Sequence, residues 1–223
     1  MKHLILLFSL LSFGINDLQT TSNEYPQVQI GEQVWMTQNL QVVVFQNGDS
    51  LFHAETPEAW IQCAQNQTPA YCLSRLDSTT NHRDIIYNWW AVNDDRSIAP
   101  EGWKVASDED FRLLLLNLGV DEKVEFMKIL GEKQELGRDL MSAEQWIPEK
   151  RGNNLFGFEA LPNDWVGHLD GLLKPARPNT YALFWTTTPR GDEMAIVYRL
   201  DHRGVMQYLG WQGAGYAVRC LRE

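Results

Sequence analysis

Six short blocks, spaced from near the start of the chain to its last residues, limit its fold more than any bulk property. They are Val28-Gln29-Ile30-Gly31-Glu32-Gln33-Val34-Trp35-Met36-Thr37-Gln38-Asn39-Leu40, Tyr87-Asn88-Trp89-Trp90-Ala91-Val92, Ala99-Pro100-Glu101-Gly102-Trp103, Gly157-Phe158-Glu159-Ala160-Leu161-Pro162, Phe184-Trp185-Thr186-Thr187-Thr188 and Val218-Arg219-Cys220-Leu221-Arg222. Together they read as structural landmarks of one domain, and none carries recognisable chemistry. A chain of 223 residues suits one domain with a short leader. That length can bury a sizeable core without a metal or many disulfides. Nine residues are Trp; most are expected in the core and one or two on display, because large aromatics are mostly buried.

Local patterns place the elements. Val28 and Ile30 alternate with polar residues, and Gly31-Glu32 then suits a type II′ hairpin turn into 33–37. Residues 46–83 form a long, mixed, polar excursion, with one helical turn at 57–63. Ile85, Ile86, Trp89, Trp90 and Val92 fall at spacings of three and four, which predicts a short amphipathic helix. Ser107 is an N-cap, Asp108, Glu109 and Asp110 load the first turn with negative charge, and Gly119 follows the end of a second helix. Its stripe of Phe111, Leu114, Leu115 and Leu118 is core packing. A further helical segment is expected over 123–130, stopping at Gly131. From Phe158 onward the pattern is strand and turn: 182–188, then Ile196, Tyr198 and Leu200 in alternation, a turn at 201–204 and a return over 205–209. Tyr216, Val218 and Cys220 alternate against Ala217, Arg219 and Leu221, which predicts a closing strand with Cys220 buried. The sum is an α+β domain.

The first residues read as a targeting signal. Lys2 and His3 form a basic start, residues 4–13 are apolar except for Ser9 and Ser12, and Ser12-Phe13-Gly14 offers small residues around a cleavage site. The apolar run is too short to span a bilayer. The expected layout is a signal peptide at 1–14, a flexible lead-in at 15–26 and one domain over 27–223. The mature chain then holds no transmembrane segment and is exported to the periplasm, the cell surface or beyond. No Cys follows the apolar run, so no lipoprotein acylation site is visible. The formal charge is −10, with no Lys/Arg run. Nucleic acid and anionic membrane surfaces are therefore excluded as partners, since both need clustered positive charge.

The three cysteines are Cys63, Cys72 and Cys220. In an exported chain a disulfide between Cys63 and Cys72 is expected from their closeness in sequence, with Cys72–Cys220 as the open alternative. Scattered cysteines without C-x-x-C spacing do not read as a metal site.

Taken in order, the blocks resemble the Fibrobacter succinogenes major paralogous domain, a family of exported bacterial domains. The resemblance runs from about residue 28 to 223. It rests on Ile30-Gly31, Gln33, Trp35-Met36 and Asn39-Leu40, then Tyr87-Asn88-Trp89 with Ala91-Val92, Pro100 with Gly102-Trp103 before a helix, Gly157-Phe158 with Ala160-Leu161-Pro162, the Trp185-Thr186-Thr187-Thr188 strand and the Val218-Arg219-Cys220 end. The family looks like a relative of the C-type-lectin-like fold. That likeness implies two or three helices around a small mixed or antiparallel sheet, paired terminal strands and long loops that carry ligand contacts. Two departures stand out. Ala99 occupies the position where the family usually has a Cys that could pair with the one at Cys220. Asn163-Asp164 stand where the family commonly has a Gly pair.

The sequence has no G-x-S-x-G, H-E-x-x-H, P-loop or Rossmann glycine pattern. His53, His82, His168 and His202 are scattered and read as loop or surface residues. Asn66-Gln67-Thr68 matches a glycosylation sequon, a three-residue match frequent by chance. The best candidate site is the loop-like 163–171 stretch, with Asn163, Asp164, Trp165, His168 and Asp170. Its oxygens at short spacing suit Ca²⁺, and its Trp face suits a sugar; the competing reading is a β-turn over a core Trp. Pro178-Asn179 faintly resembles the Pro-Asn of sugar-binding C-type lectins, but Arg177 precedes it where an acid would be needed. Tyr208, Trp211 and Tyr216 lie among Gly210, Gly213 and Gly215, either as a displayed platform or as a second small core, the core being favoured. The expected function is an exported, non-catalytic binding or surface-interaction module for a glycan or an envelope protein, without a required cofactor. The alternatives are a purely structural surface protein and an enzyme similar to the formylglycine-generating enzymes, which use active-site cysteines.

Overall fold

The computed structural model describes residues 25–75, 83–120, 127–132, 135–174 and 180–223. The leader, most of the lead-in, His82, residues 123–126 of the expected 123–130 helix and Pro178-Asn179 lie outside those residues, and the described end of that segment is not helical but a strand at Ile129–Leu130. The chain opens with the expected hairpin, β1 (Gln27–Ile30) and β2 (Gln33–Met36), in register from Gln27↔Met36 to Ile30↔Gln33. Gly31 turns it at φ +60°, the left-handed value a type II′ turn needs at its first central position. The polar excursion holds β3 (Phe52–His53), α1 (Pro57–Gln65) and β4 (Ala70–Leu73). Thr56 caps α1 by accepting from the Ala59 N–H, and Pro57 takes the first helical position. Next come β5 (Ile85–Asn88), the single-turn α2 (Trp89–Val92), β6 (Trp103–Val105) and α3 (Asp108–Asn117). The α3 cap is reciprocal: the Ser107 hydroxyl accepts from the Asp110 N–H, and the Asp110 carboxylate accepts from the Ser107 N–H.

Short pieces follow: β7 (Ile129–Leu130), α4 (Leu136–Leu140), β8 (Trp165–Val166) and β9 (Leu173–Lys174). Three long strands then form a meander, β10 (Tyr181–Pro189), β11 (Met194–Asp201) and β12 (Gly204–Trp211), with the expected turn closing at Asp201↔Gly204. The chain ends in β13 (Gly215–Tyr216) and β14 (Cys220–Arg222). Three sheets result, ordered β1-β2-β14-β6, β10-β11-β12-β7 and β3-β4-β5-β13-β8-β9. The last strand lies inside the first sheet, with Leu221 opposite Trp35 and Cys220 opposite Val105.

This architecture corrects the expected fold class. The described residues are mostly β, with fourteen strands and only four short helices, and not an α+β C-type-lectin-like domain with helices around a small sheet. The misreading has a physical cause at 85–92. All four residues of β5 are buried, and a strand buried on both faces loses its polar alternation, so its apolar spacing mimics a helix. Only Trp89–Val92 is helical. Strands of two residues, such as β3, β8, β9 and β13, are too short to leave any period. The closing strand is also divided: β13 and β14 join different sheets, and 217–219 between them are buried throughout. Among the described residues no helix is long and apolar enough to cross a membrane.

Six of the nine tryptophans are buried, Trp90 and Trp165 are half-buried, and Trp211 is exposed. Buried indole N–H groups need acceptors away from water: Trp60 donates to the Gly213 carbonyl at 2.9 Å, Trp89 to the Thr186 carbonyl at 3.0 Å, Trp185 to the Tyr87 carbonyl at 2.9 Å and Trp35 to Gln33 Oε1 at 3.4 Å. One core cluster centres on Trp35, with the rings of Phe111 and Phe158 at 5.2 and 5.6 Å. A second holds Tyr87, Trp103, Trp185 and Cys220, with Ala99 in the same cluster.

Arg219 joins the two ends of the chain. It is fully buried, and its guanidinium donates to the carbonyls of Met36 (2.9 Å) and Phe158 (2.6 Å) and to Asn39 Oδ1 (3.0 Å). The plane also lies over the Phe158 and Phe184 rings at 4.6 and 5.3 Å. Burial pushes its pKa down to about 10, which still leaves it charged at neutral pH. Asn39 in turn donates to Asp84 Oδ1 at 3.2 Å, which extends the network to β5.

Two predictions follow from these contacts. Arg219→Met should cost about 3 kcal/mol or more in urea unfolding, because three buried acceptors lose a charged donor; Arg219→Lys should recover less than half, since an ammonium cannot fork between them. An R219M midpoint equal to that of the parent would refute this role. The second concerns acid. Burial works to raise the Asp110 pKa, but hydrogen bonds from Lys104 and Ser107 win and hold it low. Its stabilisation is therefore complete above the ordinary carboxylate value of about 3.9 and fades as pH falls through the lower folded value. Asp110→Asn should flatten the stability–pH curve below about pH 4, measured by denaturant unfolding.

Candidate functional site

A group of aromatic and polar side chains is displayed around Trp211, where the end of the meander meets α1 and the loop between β8 and β9. β11 and β12 stay in register to their ends, placing Trp211 opposite Met194. A tight turn follows, in which the Gln212 N–H donates to the Glu193 carbonyl (2.8 Å) and the Ala214 N–H to the Trp211 carbonyl (2.7 Å). Gly213 lets α1 come close: a Cβ there would sit 2.9 Å from the Ala64 Cβ and 3.6 Å from the Trp90 ring. The loop between β8 and β9 closes on itself through Gly167 N–H to Leu172 O (3.0 Å) and Gly171 N–H to Gly167 O (2.9 Å). Gly171 has φ +58° and lies against Pro57, where a Cβ would meet the Pro57 carbonyl oxygen at 2.4 Å. So anchored, the loop lays the His168 ring on Trp211, 4.7 Å between centroids and 17° between planes.

The result is an open cleft of about 330 Å³, at the lower end of the range for small-ligand sites, roughly 300–1,000 Å³. Trp90, His168 and Trp211 supply its rings, Gln65, Gln67 and Gln212 its amides, and Asp192 and Glu193 its carboxylates. Trp211 keeps 42% of its surface exposed although His168 is stacked on it, and Leu169 beside it is 83% exposed. No Lys or Arg lines the cleft. Such a surface can stack on a ring and exchange hydrogen bonds with hydroxyl groups. It holds no Ser, Thr, Cys, Lys or Tyr.

Of the seven residues expected to bind ligand, the cleft brings together His168 and Trp211. The other five do not line it. Asn163 is buried and accepts from the Leu183 N–H at 2.9 Å. Asp164 takes a two-pronged contact from Arg75, at 3.1 Å from Nε and 2.9 Å from Nη2. Trp165 donates to the Tyr181 hydroxyl (3.2 Å), stacks near Tyr216 (6.3 Å) and carries Lys174 over its ring (4.9 Å). Asp170 pairs with Lys174 at 2.9 Å, and that ammonium holds its carboxyl below the usual range. Tyr208 accepts from Arg199 at 3.2 Å and packs against the second core cluster. Asp164 and Asp170 are each paired with a separate cation. Among the described residues no group of three or more His, Cys, Asp or Glu could hold a metal ion.

Trp90, Gln65, Gln67, Asp192, Glu193 and Gln212 escaped the sequence reading. Trp90 stood inside an apolar run, and Gly191-Asp192 looks like any turn. The one available signal was the hairpin itself, which sets the 190–193 turn at the same end of the meander as Trp211.

The cysteines also require a correction. Cys63, Cys72 and Cys220 are all free thiols, so the expected Cys63–Cys72 disulfide is not present. Closeness in sequence lowers only the cost of closing the loop; where each thiol points is set by α1 for Cys63 and by β4 for Cys72. Cys63 is buried and Cys220 fully so, and burial pushes both thiol pKa values up. Cys72 lines a second groove, of about 310 Å³, with His53, Glu55 and Arg83. Burial, helped by the negative charge of Asp164, pushes its pKa up to about 12, so it too stays a thiol at neutral pH.

No curated protein and no solved structure matches this chain. The Fibrobacter succinogenes major domain (Fib_succ_major) matches residues 28–222, almost the whole length, and the chain belongs to that family.

Proposed function

We propose that this chain is an exported, non-catalytic binding module that takes a glycan in the Trp211 cleft. The observation that carries the reading is the exposed Trp211 indole, held in place by His168 and bordered by side-chain amides and carboxylates. A fixed ring face loses little conformational freedom on binding, and amide groups can both donate to and accept from sugar hydroxyls. Trp165, the indole that the sequence pattern favours, is already engaged by Tyr181, Tyr216 and Lys174. Export rests on the leader-like start of the chain. The cysteine-dependent enzyme reading loses support because all three thiols are held in their protonated form by burial.

The test is a thermal-shift series with a panel of oligosaccharides. A ligand that binds only the folded state raises the melting temperature. Trp211→Ala should remove that rise, with an affinity loss of about 2 kcal/mol, while lowering the unliganded stability by no more than about 1 kcal/mol. Trp165→Ala should do the reverse, costing about 2 kcal/mol of stability and leaving a weakened but measurable rise. No rise with any saccharide would remove the glycan reading in favour of a protein partner. For the enzyme alternative, thiol titration decides. Without reductant, the denatured chain should release three thiols, and none should react faster than free cysteine in the folded state. A fast native thiol would restore the enzyme reading, and a denatured count of one would restore the disulfide.

A further inference from the structure

We infer that the saccharide taken by this cleft carries a protonated amine, that is, an amino sugar, an inference that rests on the glycan reading of the same site. Three observations point to it. Asp192 and Glu193, on the exposed turn between β10 and β11, line the cleft, and among the described residues neither is paired with a Lys or Arg. Carboxylates elsewhere on this face are already satisfied, Asp164 by Arg75 and Asp170 by Lys174. The cleft itself is lined by no Lys or Arg. A uronate or sulfated sugar would therefore meet two carboxylates and no guanidinium or ammonium, and like charges at short range repel.

The rings favour the same ligand. Trp faces attract cations as well as sugar C–H surfaces, so an ammonium substituent beside Trp211 gains from both the indole and the neighbouring acids. Gln65 and Gln67 are exposed and leave their amides for hydroxyl groups. The chain's net charge of −10 adds a long-range field that draws cationic ligands and repels anionic ones. A free alkylammonium would use the acids and rings and leave these amides without partners, which is why a saccharide bearing the amine fits better.

The experiment is calorimetric titration of the full mature chain with β-1,4-linked glucosamine oligomers and with their N-acetylated counterparts, at about pH 6 and low salt. There the glucosamine amines carry protons. The amine form should bind roughly threefold to tenfold more tightly, the range expected for two exposed ion pairs. Asp192→Asn combined with Glu193→Gln should erase that preference without moving the melting temperature, since both sites are exposed. Added salt should shrink it in the parent, because exposed charges are screened. Equal binding of the two forms, or a preference that survives D192N/E193Q, overturns the amino-sugar inference and leaves the glycan reading standing. Failure of both forms and of neutral glucose oligomers to bind overturns the glycan reading, and this inference with it.

Discussion

A buried guanidinium whose hydrogen bonds go to carbonyl and amide oxygens holds three distant parts of this chain together. Arg219 sits between the N-terminal hairpin, through Met36 and Asn39, and the 157–162 segment, through the Phe158 carbonyl. Desolvating a cation is expensive, and carbonyl dipoles, an amide oxygen and two ring faces offset that cost here. Both terminal nitrogens meet acceptors while Nε is buried without a hydrogen-bond partner, so the arrangement tolerates little displacement of the segments that supply those acceptors. It seats β14 between β2 and β6 and fixes where the chain leaves the 157–162 block. From there the 163–174 region is positioned by Asn163, Asp164 and Trp165, and it carries His168 to Trp211.

That dependence explains why family membership speaks to the fold and says little about the ligand. The blocks that carry the family resemblance supply the core: Trp35, Tyr87, Trp103, Phe158, Trp185 and Arg219 are all buried. The cleft is built mainly from positions between those blocks, with Trp90 as the block residue that reaches it. A scaffold set by one group of residues and a binding surface set by another is the usual way in which one fold serves different ligands.

How far the fold could be read from the chain depended on where its signals were local. The α3 helix declared itself because Ser107 and Asp110 satisfy each other's backbone within one turn. The β1–β2 and β11–β12 hairpins did so because their side chains alternate about short turns. The 85–92 stretch misled because a strand buried on both faces has no polar side to mark its period. Cys63 and Cys72 misled for a related reason: nine positions of separation say nothing about the direction of two side chains on different elements. The candidate site was half legible. His168 and Trp211 stood out as displayed residue types in loops, whereas Asp164, Trp165 and Asp170 looked equally suitable until Arg75, Tyr181 and Lys174 were seen to engage them.

By itself the sequence determined the family, the capped helix, the main hairpins and the presence of more Trp than a surface could display, because each depends on residues near one another or on residue type alone. Tertiary structure decided the mostly β class, the free thiols, the burial of Arg219 and the membership of the cleft. Each of these depends on which distant segments meet. Asp164 and Asp192 are the same residue type outside regular elements; an arginine 89 positions away occupies one carboxylate, and the other remains open on the rim of an aromatic cleft.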